Sequence, residues 1–234
     1  MRRVVPIFSF AVFCASLTGC WQGVSRGVLA TVLSVRGQAL CGTEGRNDFY
    51  PITAQTNPGA GCILRTFDDA RVDLALLPGA LVQIPGNSEL KIEELSLTKD
   101  GNETGDGVGK RVVRIQLNRG KIIALFQQSD ENATRFSVST RQATISSDQN
   151  CLFQIQVEDT KTRLTCARGK VSASQGDHQM SVIEAGYFQE WPSNSSAVMS
   201  TADDARGQID VTDALEAERE LRQLQPERRA RRPF

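Results

Sequence analysis

Cys151-Leu152-Phe153-Gln154-Ile155-Gln156-Val157 alternates apolar and polar side chains, Glu158-Asp159-Thr160-Lys161 is polar throughout, and Thr162-Arg163-Leu164-Thr165-Cys166 alternates again. A period of two sends successive side chains to opposite faces of an extended chain, so the stretch reads as a β-hairpin. If Val157 faces Thr160 across a two-residue turn, the antiparallel register sets Ile155 opposite Thr162, Phe153 opposite Leu164 and Cys151 opposite Cys166. All of these then lie on the apolar face. The expectation is a Cys151–Cys166 bridge closing the open end of the hairpin.

The same period recurs on both sides. Val72, Leu74 and Leu76 alternate with Arg71, Asp73 and Ala75, and Leu90 and Ile92 with Glu89, Lys91 and Glu93. Val113, Ile115 and Leu117 follow the pattern, as do Phe136 and Val138. Segments this short suit half-buried strands and not helices. Asn57-Pro58-Gly59, Pro78-Gly79, Pro85-Gly86-Asn87, Asp100-Gly101-Asn102 and Asn118-Arg119-Gly120 punctuate them as turns. The fold class is therefore all-β, built of antiparallel strands and hairpins. Gly37, Gly79, Gly120 and Gly169 open similar motifs at spacings of 42, 41 and 49 residues. That is near the blade length of a β-propeller, about 40 to 45 residues, but no Gly-His or Trp-Asp signature accompanies it. Each of these glycines is read as a positive-φ corner.

Composition limits the chemistry. In 234 residues, 27 Lys and Arg balance 27 Asp and Glu, and there is one histidine, His178. A balanced charge disfavours nucleic acid as a partner, and a single histidine excludes His-rich zinc sites within one chain. No metal and no cofactor is expected.

The first twenty residues carry an address. Arg2 and Arg3 precede an apolar run from Val4 to Leu17, and Leu17-Thr18-Gly19-Cys20 follows. The run is shorter than the roughly 20 residues that span a bilayer and has the parts of an export signal. Leu17-Thr18-Gly19-Cys20 resembles the lipobox of bacterial lipoproteins. The resemblance implies cleavage before Cys20, lipidation of its sulfur, and a tethered protein, since two or more acyl chains give stable anchoring. Trp21-Gln22 follow the anchor, and in enterobacterial-type lipoproteins a residue other than Asp at the second position implies sorting to the outer membrane, facing the periplasm. Processing leaves 25 basic and 27 acidic residues, a net charge of −2, and the cysteines Cys41, Cys62, Cys151 and Cys166. Four cysteines in an exported chain favour two disulfides, and with Cys151–Cys166 assigned, Cys41–Cys62 is the remaining pair. No short Cys-x₂₋₄-Cys spacing supports zinc instead.

Several segments together resemble the FecR domain. They are Leu64-Arg65-Thr66, Ala70 to Leu74, Pro78 to Ile84, Asn87-Ser88-Glu89-Leu90, Leu117 to Gly120, Phe136 to Thr140, Asn150 to Ile155 and Ala185-Gly186. Their order and spacing match over about residues 28 to 190. Asn150-Cys151 departs from the Gly-Thr that the family tends to carry. The resemblance implies an exported β module, a FecR-like sandwich or solenoid-like stack, that works by contact and not by catalysis. Family members that restrain sigma factors are single-pass inner-membrane proteins with a cytoplasmic segment. Here a lipid anchor is expected in place of that arrangement, so direct contact with a sigma factor is not.

Other candidate sites are weaker. Asp100-Gly101-Asn102-Glu103-Thr104-Gly105 resembles the start of a calcium loop, but its twelfth position is Arg111, not a bidentate Glu. Asp68-Asp69 and Glu93-Glu94 are adjacent residues that would point to opposite faces. Tyr187, Phe188, Trp191 and Pro192 read as a cap on the β core. Residues 192–202 read as a polar linker, and 203–225 as an amphipathic helix with Val211, Ala214, Ala217, Leu221 and Leu224 on one stripe and Pro226 at its end. That helix is expected to dock on its own β domain or on a partner helix. Residues 226–234 read as a basic, disordered tail.

The organisation expected is thus a signal at 1–19, an anchor and short linker at 20–27, a β domain at 28–191, then linker, helix and tail. The function expected is a lipid-anchored, non-enzymatic binding or scaffold module of the cell envelope, with an envelope protein or polymer as partner. The competing expectation is an enzyme acting on cell-wall or surface polysaccharide.

Overall fold

Seventeen strands form in the computed structural model, which describes residues 24–46, 48–99, 108–128, 133–176, 180–192 and 198–230. In chain order they are β1 (Val24–Gly27), β2 (Thr31–Arg36), β3 (Ala39–Thr43), β4 (Tyr50–Pro51), β5 (Cys62–Thr66), β6 (Arg71–Leu77), β7 (Ala80–Ile84), β8 (Glu89–Lys99) and β9 (Val108–Phe126). There follow β10 (Ala133–Ser139), β11 (Thr144–Ser147), β12 (Cys151–Glu158), β13 (Lys161–Arg168), β14 (Lys170–Ser174), β15 (Ser181–Glu184), β16 (Tyr187–Trp191) and β17 (Met199–Ser200). A single 3₁₀ turn, Thr201–Asp203, leads into helix α1, Ala205–Ala230. The lipobox residues Leu17, Thr18, Gly19 and Cys20, His178 and the loop 100–107 lie outside the described residues.

The strands pack as two layers. One sheet runs β2-β6-β7-β9-β12-β13-β16-β17. The other runs β4-β3-β5-β8-β9-β10-β11-β14-β15, with β1 beside the far half of β8. Only β9 with β10 pairs in parallel among the described ladders. The nineteen-residue β9 belongs to both sheets: its first half pairs with β8 and its second with β7 and β12. Gly120 marks the crossing. It has φ +82°, and a Cβ there would lie 2.6 Å from the Asn87 carbonyl oxygen, so only glycine lets the chain change layers at this point. Gly169, with φ +74° and the Asn150 oxygen 2.1 Å from a Cβ position, does the same between β13 and β14. Gly37 and Gly79 also have positive φ, as their motifs predict.

The main core lies between the sheets. Alternate residues of both layers, among them Leu64, Leu74, Leu90, Ile92 and Ile115, are fully buried there. Phe126 and Phe153 of one sheet meet Phe136 of the other, with ring centroids 5.6 and 6.0 Å apart. Burying an aromatic or aliphatic side chain of this size contributes about 1.5–3 kcal/mol, so this layer supplies most of the stabilisation. A second, smaller core forms where Ala214, Ala217 and Leu221 of α1 pack on Leu81, Ile123, Leu125 and Leu152. The helix therefore caps the outer face of the sheet containing β12 and β13. That layer is called the capped sheet below, and the other the open sheet.

Asn118-Arg119-Gly120, expected as a turn, lies inside the continuous strand β9, and two further expectations need correction. The hairpin turns at Asp159-Thr160, one residue later than anticipated, so Ile155 faces Leu164 and Phe153 faces Cys166, with an irregularity between Leu152 and Phe153. Asp159 takes the positive-φ corner at φ 36°, which pairs Glu158 with Lys161, an opposite-charge cross-strand pair. That register moves Cys151 away from its place opposite Cys166, and the expected Cys151–Cys166 bridge is absent: both are free, buried thiols. Cys41 and Cys62 are bridged, with Cα atoms 6.3 Å apart, and tie β3 to β5. The second correction concerns the helix, which begins at Ala205 and runs through Pro226 to Ala230. A proline removes one backbone hydrogen bond, and close to a helix end that loss does not stop the chain from continuing helically.

Candidate functional site: one capped face and one open face

Position parity determines what each sheet shows to the outside. On the capped sheet the outward residues include Asp73, Gln83, Gln154, Arg163 and Thr165, all buried. Asp73 is held by its strand neighbours Ser34, Gln83 and Arg71; the others find partners mainly on the helix and its N-cap. Arg163, 7% exposed, donates from Nε to Asp210 at 3.0 Å and from Nη1 to Glu190 at 2.7 Å, and also binds Asp204. Its guanidinium lies 3.8 Å over the Phe188 ring. Gln154 and Thr165 donate to the same Asp210 at 2.6 and 3.1 Å. Farther along, Arg71 and Gln83 both reach Glu220, Arg168 reaches Glu218, and Lys121 reaches Asp213. Arg206 of the helix returns the contact to Glu158.

Burial alone would lower the Arg163 pKa, but its hydrogen bonds to Glu190 and Asp204 and the charge of Asp210 raise it overall. The same contact works on the acid: the Arg163 hydrogen bond, aided by the Gly207 N–H, holds the Asp204 carboxyl below its usual range. Asp204 is also the helix N-cap, accepting from Gly207 N at 2.7 Å, so one carboxylate starts the helix and docks it.

The open sheet is different. The side chains of Ile63, Arg65, Glu89, Lys91, Gln116 and Asn118 floor a shallow groove of about 350 Å³, walled by Thr43 to Arg46 and Phe49. Phe49 lies flat over Gly42, where a Cβ would come within 2.7 Å of the ring, and Arg65 stacks 4.2 Å above it. Arg65 donates to Glu89 at 2.8 Å, Asn118 donates to Glu89 at 2.9 Å, and Lys91 pairs with Glu44. The hydrogen bond to Glu44 raises the Lys91 pKa. The groove thus holds donors and acceptors of both signs: Arg65 and Lys91 pair with Glu89 and Glu44, and Arg46 adds a third cation on the wall.

Of the residues singled out from the sequence, Phe188 and Trp191 are buried, at 4% and 3% exposure, while Tyr187 is 43% exposed. Phe188 supports Arg163 from beneath. Asp68 binds Asn87, and Glu94 binds Ser96 and Arg114. Neither acidic doublet forms a facing carboxylate pair. Burial pushes the Cys151 thiol up to about 11 and the Cys166 thiol up to about 12, so both stay protonated and unreactive at neutral pH. Among the described residues no cluster of three or more His, Cys, Asp and Glu is arranged to hold a metal ion, and no helix is long and apolar enough to cross a membrane. The Arg163 cluster and the groove were not singled out from the sequence. The available signal was the acid spacing Asp204, Asp210, Asp213, Glu218 and Glu220 in the helix, set against arginines at outward strand positions.

Comparison with known proteins adds a family. No curated protein matches this chain. Two crystal structures, at 1.65 and 2.50 Å, of a protein named "putative anti-sigma factor" from Parabacteroides distasonis are similar, at 14% identity and a TM-score of 0.42. The match covers 58% of this chain and 57% of that one, so a large part of each lies outside it. Residues 63–172 match the family described as FecR protein, which makes this stretch, from β5 to β14, a FecR domain.

Proposed function

We propose that the protein is an exported, lipid-anchored binding module that presents its open sheet to an envelope component and takes part in envelope signalling without transforming what it binds. The observation that carries this reading is the contrast between the two outer faces: one is closed by the chain's own helix, and the other leaves an ion-paired groove exposed. The FecR domain supports a contact role. The sequence supports the address, because β1 begins at Val24, four residues after Cys20. Four extended residues reach roughly 14 Å, so an acylated Cys20 would hold the open sheet close to the membrane surface. Catalysis on a polymer is the less supported reading: both groove carboxylates, Glu44 and Glu89, are ion-paired, with Lys91 and Arg65.

The test is fractionation of the wild type and of Cys20→Ala, with a photo-crosslinking residue at Gln116 in each. The expected result is wild-type protein in the outer-membrane fraction with one dominant crosslinked species, and loss of membrane association for Cys20→Ala. Membrane association that survives the substitution would overturn the anchor. Crosslinks that form equally from Arg219 on the exposed side of α1 would overturn the assignment of the face.

A further inference from the structure

We infer that the free edge of β15 is a self-association site, where a second copy of this chain adds its own β15 in antiparallel register. The direction of the backbone groups carries this. Gly169 O accepts from the Ala185 N–H at 2.9 Å, and β14 pairs with β15 through Lys170↔Glu184, Val171↔Ile183, Ser172↔Val182 and Ala173↔Ser181. In an antiparallel ladder hydrogen-bonded and non-hydrogen-bonded pairs alternate, so Ala185, Ile183 and Ser181 direct their backbone groups at β14. Those of Val182 and Glu184 then point away from the sheet, and no ladder among the described residues takes them. The side chains beside them are open as well: Val182 is 51% and Met180 61% exposed.

The other free edges are guarded. β4 is two residues long and ends in Pro51, and β17 is also two residues long. β2 is interrupted by a bulge at Leu33, which packs against the small core beneath α1, and β1 carries Arg26. Short strands, proline, bulges and edge charges are the devices that keep strand edges from pairing. Met180-Ser181-Val182-Ile183 contains no Lys, Arg, Pro, Asp or Glu.

The edge also selects its occupant. Met180 to Glu184 centres on Val182, so full overlap of two antiparallel copies sets Val182 opposite Val182 and Met180 opposite Glu184. By the same alternation, all of these residues aim their N–H and C=O groups across the seam. The two Glu184 carboxylates then stand about 14 Å apart along the strands, beyond the Debye length of about 8 Å at physiological salt. A foreign strand is chosen by side-chain pockets beside the edge. Here the row leading to Val182 is Ser137, Ser146 and Ser172, whose short side chains leave the approach flat and bring no charge to repel a second copy.

The experiment is sedimentation velocity of the full mature chain in density-matched detergent over a range of concentrations. A reversible monomer–dimer equilibrium is expected for the wild type. Val182→Pro removes an N–H that bonds nothing among the described contacts of the chain, so it should weaken the dimer at least about tenfold and leave the thermal melt in place. Val182→Lys, which sets two ammonium groups opposite each other, should weaken it similarly. In a hydrogen-bonded antiparallel pair the Cα atoms are about 5.5 Å apart, within disulfide range, so Val182→Cys should form a covalent dimer on mild oxidation. Thr144→Cys, exposed two strands in from the edge, should not. A wild type that stays monomeric at every concentration, a dimer that survives both Val182→Pro and Val182→Lys, or equal crosslinking from the two cysteine variants would each overturn the inference. Sedimentation reads self-association alone, so its failure leaves the crosslinking at Gln116 and the fractionation of Cys20→Ala to be judged separately.

Discussion

The two outer faces of this sandwich are built by one rule and end in opposite states. On both sheets, apolar residues point inward and polar ones outward with the strand period. On the open sheet the outward charges find partners on neighbouring strands and stay in contact with water, as Arg65 does with Glu89. On the capped sheet they find partners on a helix more than forty residues away in sequence and are buried, as Arg163 is by Asp204 and Asp210. A polar residue at an outward strand position therefore does not mean a solvated surface. Its fate depends on whether the chain elsewhere carries the complementary group.

That difference should appear most strongly as stability. Arg163→Met removes the only cation hydrogen-bonded to Asp210 among the described contacts and leaves that carboxylate, 4% exposed, without its ion-pair partner. Breaking a buried pair in this way costs about 3–5 kcal/mol. Arg65→Ala on the open face should cost about 1 kcal/mol or less, because surface ion pairs contribute little. Urea unfolding followed by circular dichroism measures both. Equal losses would mean that the helix does not bury Arg163, and the contrast between the faces would fail. The double change Arg163→Met with Asp210→Leu should recover only part of the loss, because Gln154 and Thr165, buried donors to Asp210, are then left without an acceptor.

Next in size is the response to acid. The Asp204 pKa in the folded protein is held below its ordinary value of 3.8, chiefly by the Arg163 hydrogen bond. A carboxyl group with a depressed folded pKa contributes stability that is present above the unfolded value and lost as pH falls through the folded one. Amide hydrogen exchange in α1, corrected for intrinsic rates, should therefore show steady protection of Ala214 to Leu221 at roughly pH 5 to 7, then declining protection below 3.8. Glu94 on the open face is also held below its usual range, by Ser96 and then Arg114, but it touches no helix residue. Glu94→Gln should leave the α1 profile unchanged. An equal loss of helix protection in that variant would show that the two faces are coupled.

How much of this could be read in the sequence follows from the range over which each feature is determined. Strands and turns are local: alternation at Val72 to Leu76 and the glycine motifs at Gly79 and Gly169 announced both. The helix stripe is local too, and Ala214, Ala217 and Leu221 are its buried residues. The hairpin register was off because one turn residue decides it. Asp159 tolerates the positive-φ corner and lets Glu158 pair with Lys161, whereas the alternation of Phe153, Ile155 and Val157 is the same in either register. Sheet membership was not legible: Asn118-Arg119-Gly120 reads as a turn between two strands, whereas β9 runs through it and changes layers there. The helix clamp was hidden because Gln83, Gln154 and Arg163 alternate with core residues as solvated side chains would. The groove depends on a loop that lays Phe49 over Gly42, a contact that only the folded chain creates.

The smallest expected effect comes from the two thiols between the faces. Cys151 and Cys166 both point into the main core, and burial keeps each protonated until about pH 11 or 12. Because the thiolate is the reactive form, iodoacetamide should label neither residue in the folded protein at neutral pH and both after unfolding. Reduction of the mature chain should add two hydrogens, for the Cys41–Cys62 bridge alone. A gain of four would mean that Cys151 and Cys166 close a second bridge after export, through a hairpin register one pairing away from the one described. It would also tie the open end of β12 to β13 directly beneath the helix, and the stability contrast between the faces would then rest partly on a covalent link instead of on Arg163. Mass and labelling together separate these cases: a buried dithiol is silent to alkylation but adds nothing on reduction, whereas a bridge is silent to alkylation and adds two hydrogens more.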